Sequence, residues 1–109
     1  MAYSAAMLSE LLELNKRAAG QGQFEVAYHV LMAALHAADD ARDFGALDEI
    51  ARRGRAQGQA VEQVKPPHAL SRAHAQMRGQ TPLFDSFAAH VDAVRLRLQS
   101  DEQRAKARR

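Results

Sequence analysis

Histidine is the residue type of this sequence with the clearest capacity to bind a metal. His29 and His36 are seven residues apart in one predicted helix, a rise of about 10.5 Å along the helix axis. Two imidazoles at that separation cannot both reach one zinc ion at distances near 2 Å. His68, His74 and His90 show no ligand spacing either. The pattern predicts neither a metal site nor a bound cofactor.

The carboxylates do not form a pattern typical of acid–base catalysis. Asp39 and Asp40 are adjacent, so on a helix they point in different directions, and a turn role is simpler. Glu49 and Arg53 are four apart, the spacing of an ordinary surface pair. The sequence has no cysteine, no nucleophile-elbow serine and no glycine-rich loop after a strand. We therefore predict no catalytic activity. A helical small-ligand carrier or enzyme stays an alternative, because a pocket between helices leaves no mark in a sequence.

Arginine clusters raise nucleic-acid binding as a second alternative. Arg52, Arg53 and Arg55 lie close together, and residues 104–109 of the tail add four cations. Acidic neighbours such as Glu49 offset the first cluster, and the net charge is only +2. A DNA-binding protein usually carries a stronger basic stripe and a recognition helix. The charge pattern therefore favours protein over nucleic acid as the partner.

Composition indicates a small helical protein outside the membrane. The 109 residues suit one domain. Alanine, leucine, arginine and glutamine are abundant and favour helix. No apolar run approaches the roughly 20 residues of a membrane span. The N-terminal segment is interrupted by Glu10 and Glu13 and lacks the basic start of a secretory signal. We expect a cytoplasmic protein with no membrane partner.

The spacing of apolar residues predicts an all-α fold of four long helices and one short helix, arranged as antiparallel hairpins with a long C-terminal helix. No run alternates apolar and polar residues as a half-buried strand would. Residues 1–100 are expected to form one domain, and residues 101–109 a basic, frayed tail. The predicted helices span about residues 3–19, 24–40, 43–63, 68–78 and 82–100.

The second predicted helix is apolar around most of its circumference, which predicts neighbours on two of its faces. Leu31 lies in the first of its two apolar stripes and is expected to be a core residue. In the third predicted helix, Gly54 and Gly58 lie within the apolar stripe. Glycine there predicts close approach of another helix, or alternatively a break of the helix near Gly54. The two stripes of the second helix contain Phe24, Ala27, Tyr28, Leu31, Leu35 and Ala38, and Val26, Val30, Ala33 and Ala37.

The turn between the first two helices resembles that of the tetratricopeptide repeat, a glycine followed by an aromatic and a small residue. The resemblance covers about residues 8–53, or one and a half repeats. Its matching positions are Leu11, Leu14 and Ala18 in the first helix, Gly22 at the turn, and Phe24, Ala27, Leu31 and Ala34 in the second helix.

The resemblance implies a protein-binding scaffold with its partner along the first helices. Ser9, Leu12 and Lys16 would then face the groove. Repeat folds generally need about three units to bury their faces, so the last helices must cap the stack or a second copy must cover it. The predicted partner is another protein or a second copy of this chain.

Overall fold

The structure is a computed structural model that describes residues 5–64 and 66–108, and these form five α-helices and no strand. The prediction of an all-α fold is confirmed. Residues 3 and 4 of the predicted first helix lie outside the described residues. No helix within the described ranges is long and apolar enough to span a bilayer. The helices are α1 (Ala5–Gly20), α2 (Phe24–Ala41), α3 (Phe44–Val61), α4 (Arg72–Met77) and α5 (Leu83–Ala107).

Local chemistry sets most of these boundaries. Gly22 takes a positive φ of 75° between α1 and α2, a conformation that glycine adopts without strain. Asp43 caps α3, because its side chain accepts a hydrogen bond from the Ala46 backbone N–H at 3.0 Å. Arg42 ends α2 in the left-handed region at φ 53°. The first three helices are thereby joined by short turns.

Helix α4 is shorter than the predicted 68–78. The Leu70 N–H donates to His68 Nδ1 at 3.0 Å, which holds a local turn in place of a helical one. Ser71 then has an extended backbone, and its side chain accepts from the His74 N–H as the helix cap. The helix therefore begins only at Arg72.

The last helix is expected to end at residue 100, but residues 101–107, the first part of the expected basic, frayed tail, continue α5. No proline or glycine follows Pro82, so nothing in the local sequence stops the helix. Asp101 also forms an ion pair with Arg104 one turn later. Its Oδ2 lies 3.8 Å from Nη1 of Arg42 at the end of α2. The first of these pairs lies within α5, and the second brings the start of the extension close to the end of α2. Arg109 lies outside the described residues.

Helix α2 is the central element, because it packs against α1, α3 and α5. Its fully buried residues, among them Leu31 and Leu35, join a core with Ile50 of α3 and Phe87 and Val91 of α5. The prediction that α2 has neighbours on more than one face is therefore confirmed.

The second apolar stripe of α2 is less covered than a central helix suggests. Val26 and Ala33 are exposed, while Val30 and Ala37 are half-buried. Ala37 packs partly against the core, so only one edge of this stripe stays at the surface of the described part of the chain.

Glycines of α3 let α5 approach closely. Helix α3 is continuous through Gly54, so the alternative of a break is wrong. A Cβ atom added at Gly54 would lie 2.8 Å from Phe87 Cδ2, and one at Gly58 would lie 3.0 Å from Phe84 Cβ. Both glycines leave room for buried aromatic rings.

We expect Gly54→Ala to destabilise the fold although alanine favours helix. The new methyl group would overlap the buried Phe87 ring, and such overpacking costs about 1–3 kcal/mol, against a helix gain of about 1 kcal/mol. The net loss should be visible as a lower midpoint in urea unfolding. Gly45→Ala is the matched control in the same helix, since its Cβ would meet only Asp43 Oδ1 at 3.6 Å and should be neutral or stabilising. Equal effects of the two changes would contradict the close packing of α3 and α5.

Candidate protein-binding surface

A buried amide pair joins the first three helices. Asn15 of α1 has no exposed surface, and Gln57 of α3 is 7% exposed. The Asn15 Nδ2 donates to the Ala27 carbonyl at 2.7 Å and to Gln57 Oε1 at 3.1 Å, and Gln57 Nε2 donates back to Asn15 Oδ1 at 2.6 Å. Buried polar groups that are bonded in this way specify one arrangement of the helices around them.

Sequence reasoning missed this pair, although a signal was present. Asn15 lies in the apolar stripe of α1, seven residues after Leu8, and Gln57 lies between Gly54 and Val61 in the stripe of α3. A single amide on an apolar face needs a buried hydrogen-bond partner. Neither stripe alone shows which amide that partner is.

A half-buried arginine forms a second link between α1 and α3. Arg53 Nη1 donates to the Leu12 carbonyl at 2.6 Å, and its Nε donates to Glu49 Oε2 at 2.9 Å. Hydrogen bonds that involve a charged group are stronger than neutral ones. Together with the amide pair, this arginine fixes the position of α1 on α3.

The surface above these links contains the three groove residues expected from sequence. Ser9 and Lys16 are exposed, and Leu12 is half-buried against the core. Their spacing of three and four residues puts them on one side of α1. Since the Leu12 carbonyl bonds to Arg53, that side adjoins α3. We name this area the α1–α3 surface, formed by Ser9, Leu12 and Lys16 on α1 and by Glu49, Arg52, Arg53, Ala56 and Ala60 on α3.

Most of the hairpin positions expected from sequence lie in the interior. Leu11 is half-buried, and Gly22 forms the exposed turn. Leu14 differs, because 40% of its surface is exposed, so it lies on the outside of the hairpin and not in its packed seam. The buried members are Ala18, Phe24, Ala27, Leu31 and Ala34.

Comparison of the chain with protein-family models, with curated proteins and with solved structures finds no match.

The arginines singled out by sequence do not form one basic patch. Arg52 and Arg53 both pair with Glu49. Arg55 is exposed and lies between α3 and α5, where it lines two shallow clefts. In the tail, Arg104 pairs with Asp101. Arg55 lies apart from the pair with Glu49, and the tail cations lie on a different helix, so these cations form no continuous basic stripe of the kind typical of a nucleic-acid interface.

Other arginines pair across helices. Arg97 of α5 pairs with Asp39 of α2, and this carboxylate raises the pKa of Arg97 above its ordinary value. Arg95 of α5 pairs with Asp48 of α3. One partner of each pair, Arg97 and Asp48 respectively, is more than half exposed, so each pair contributes little to stability.

The histidines do not converge on one site. His36 of α2 and His90 of α5 meet edge to face, with ring centroids 6.4 Å apart. His68 packs on Phe24, and His74 lies 3.0 Å from the Ser71 hydroxyl. Among the described residues, no group of three or more histidines or carboxylates could hold a metal ion.

Two clefts flank the contact of α3 with α5. One of about 260 Å³ lies between the end of α3 and the start of α5. Its carboxylates Glu62 and Asp85 both bond to Arg72, through the Arg72 backbone N–H and side chain respectively. The other, of about 550 Å³, lies over Asp48 and Arg55. Neither brings together the nucleophile and base that covalent catalysis requires.

Proposed function

We propose that this chain is a non-catalytic helical module that binds a segment of another protein along the α1–α3 surface. The observation that carries the proposal is the contrast between the buried, hydrogen-bonded residues beneath this surface, which we call its floor, and the exposed side chains on it. Asn15, Gln57 and Arg53 lock the helices beneath it, whereas Ser9 and Lys16 project into solvent. A surface held in place before binding loses less entropy when its partner binds.

The order of helix contacts supports this role. Helix α2 packs on α1 and α3, and α3 packs on α5. The pairs Gly54–Phe87 and Gly58–Phe84 show that α3 and α5 run antiparallel. Two consecutive hairpins, α1–α2 and α3–α5, fit a tetratricopeptide-like arrangement, in which α1 and α3 would be the first helices that face the partner.

The exposed groups indicate the chemistry of the segment. Lys16 forms no hydrogen bond or ion pair with the described residues, so its charge is available to an acidic group. Leu12 offers apolar surface between Ser9 and Lys16. On α3, the exposed Ala56 and Ala60 let a backbone approach closely. We therefore expect an extended segment that carries an acidic residue beside an apolar one.

Lys16→Glu should weaken binding of such a segment by at least about tenfold, since attraction is replaced by repulsion. The probe is a phage-displayed library of random 12-residue peptides selected on the full chain. Binding of the enriched peptides is then measured by fluorescence anisotropy. Lys106→Glu is the matched control, because it makes the same charge change at an exposed position near the end of α5.

Three results would contradict this proposal. The library could show no enrichment over an unrelated helical protein, or the enriched peptides could bind the Lys16→Glu variant as tightly as the wild type. Tight binding of labelled DNA or RNA that weakens steeply with salt would instead support the nucleic-acid alternative.

A further inference from the structure

The outside of the first hairpin carries a continuous apolar strip. Met7 is 54% exposed, Leu14 40% and Val26 47%. Helices α1 and α2 are antiparallel, and Asn15 of α1 bonds to Ala27 of α2. This register puts Leu14 at the level of Val26 and Val30 of α2. We name this area the outer hairpin face, formed by Met7, Leu14, Val26, Val30, Ala33 and Ala37.

The other helices pack away from this face. The fully buried side of α2, including Leu31 and Leu35, meets α3 and α5, and α1 meets α3 through Asn15 and Arg53. The described part of the chain measures only 56 × 31 × 18 Å and contains two hairpins. The outer hairpin face therefore forms one end of the stack.

Charges beside the strip are self-complementary. Glu10, Leu14 and Arg17 are spaced by four and three residues, so they lie on one side of α1. Glu10 and Arg17 are exposed, and neither forms an ion pair with the described residues. Leu14 lies near the midpoint between them. A two-fold axis next to Leu14 would bring Glu10 of each copy opposite Arg17 of the other.

We propose that a second copy of this chain covers the outer hairpin face and forms a two-fold symmetric dimer. In this dimer the α1 helices cross antiparallel at Leu14, and two Glu10–Arg17 pairs flank the apolar contact. A two-fold contact requires a surface that complements itself, and the positions of Glu10, Leu14 and Arg17 meet that requirement. The inference rests on the proposed interaction role, but it uses a surface separate from the α1–α3 surface.

The available area is sufficient for a weak specific dimer. Helices of 16 and 18 residues present a face about 25 Å long and about 20 Å wide. Two such faces remove on the order of 1,000 Å² from solvent, near the lower limit of specific interfaces. Interfaces near this limit are typical of weak complexes, so we expect the dimer to dissociate on dilution.

Sedimentation velocity of the full chain tests whether the outer hairpin face forms the dimer contact. Over loading concentrations from about 1 to about 500 μM, a range that spans micromolar affinity, the wild type should shift from monomer to dimer. Leu14→Glu should stay monomeric throughout, because dimerisation would bury two carboxylates in an apolar contact. Leu96→Glu is the matched control, since Leu96 is 66% exposed on α5, away from the outer hairpin face. This variant should dimerise like the wild type. Circular dichroism checks that each variant is folded.

Charge reversal tests whether Glu10 of one copy lies opposite Arg17 of the other. Glu10→Arg or Arg17→Glu alone creates two repulsive contacts in the dimer and should weaken it by about tenfold. The double variant restores both pairs with exchanged signs and should dimerise like the wild type. Recovery of this kind depends on the two side chains meeting across the axis.

A wild-type chain that stays monomeric at the highest concentration overturns the dimer. So does a dimer that Leu14→Glu leaves intact, or a double reversal as weak as the single ones. These results leave peptide binding at Lys16 untouched. Conversely, a failure of the peptide selection does not change the sedimentation of the wild type, so the two proposals fail separately.

Discussion

Leu31→Ala should lower the free energy of unfolding by roughly 2–5 kcal/mol, because a buried leucine leaves a cavity that its neighbours fill only partly. Leu31 has no exposed surface and lies in the core where α2 meets α3 and α5. A Cβ atom at Gly54 would lie 3.8 Å from Leu31 Cδ2, so the side chain fills the space above that glycine. Because the core is closely packed around Leu31, we expect neighbouring side chains to fill only a small part of the cavity.

A loss of this size is a large part of the roughly 5–15 kcal/mol typical of a small domain. Urea unfolding followed by circular dichroism at 222 nm measures it, at a concentration where the oligomeric state is constant. Leu96→Ala is the control, since an exposed leucine usually contributes less than about 0.5 kcal/mol. An unchanged unfolding midpoint for Leu31→Ala would show that α2 is not the centre of the fold.

Asn15→Ala should cost about 2–4 kcal/mol. The change removes three hydrogen bonds and leaves the buried amide of Gln57 without its partner, and an unsatisfied buried group is more costly than a missing pair. It also opens a small cavity between the helices. The same unfolding experiment measures the loss, and Lys16→Ala is the control at the adjacent, exposed position.

The double variant Asn15→Leu/Gln57→Leu separates the hydrogen bonds from the packing. With both amides replaced by apolar groups of similar size, no buried amide lacks its partner, so the double variant should be more stable than Asn15→Ala.

A loss below about 0.5 kcal/mol for the single variant Asn15→Ala would mean that a water molecule forms the missing hydrogen bonds with the Gln57 amide. The floor of the α1–α3 surface would then not be rigid.

The sequence was sufficient for the features that depend on neighbouring residues. Helices α1, α2 and α3 lie within two residues of their predicted limits over the described part of the chain. Gly22 and Asp43, which shape the turns on either side of α2, act through their own backbone or side chain. The apolar stripe containing Leu31 identified the core side of α2. The likeness of this hairpin to a tetratricopeptide repeat stays a prediction.

The sequence was insufficient where an element depends on a distant residue. Helix α5 runs past residue 100 because no local signal stops it, but only the fold shows that its Asp101 lies near Arg42 at the end of α2. The resemblance put Leu14 among the hairpin positions, whereas 40% of its surface is exposed, because the side of α1 that α2 covers depends on how the two helices are rotated. Periodicity identifies an apolar side but not its exact centre.

The sequence by itself determined that this protein is helical, where its long helices lie and which side of α2 is buried, because periodicity and end signals act within one or two turns. Only the tertiary structure decided that Asn15 meets Gln57 across 42 positions of sequence, that Arg53 holds α1 on α3, and that Leu14 and Val26 remain partly exposed on the first hairpin. These features depend on how helices rotate and pack against each other, and a helix carries no local signal of which neighbour its side chains will meet.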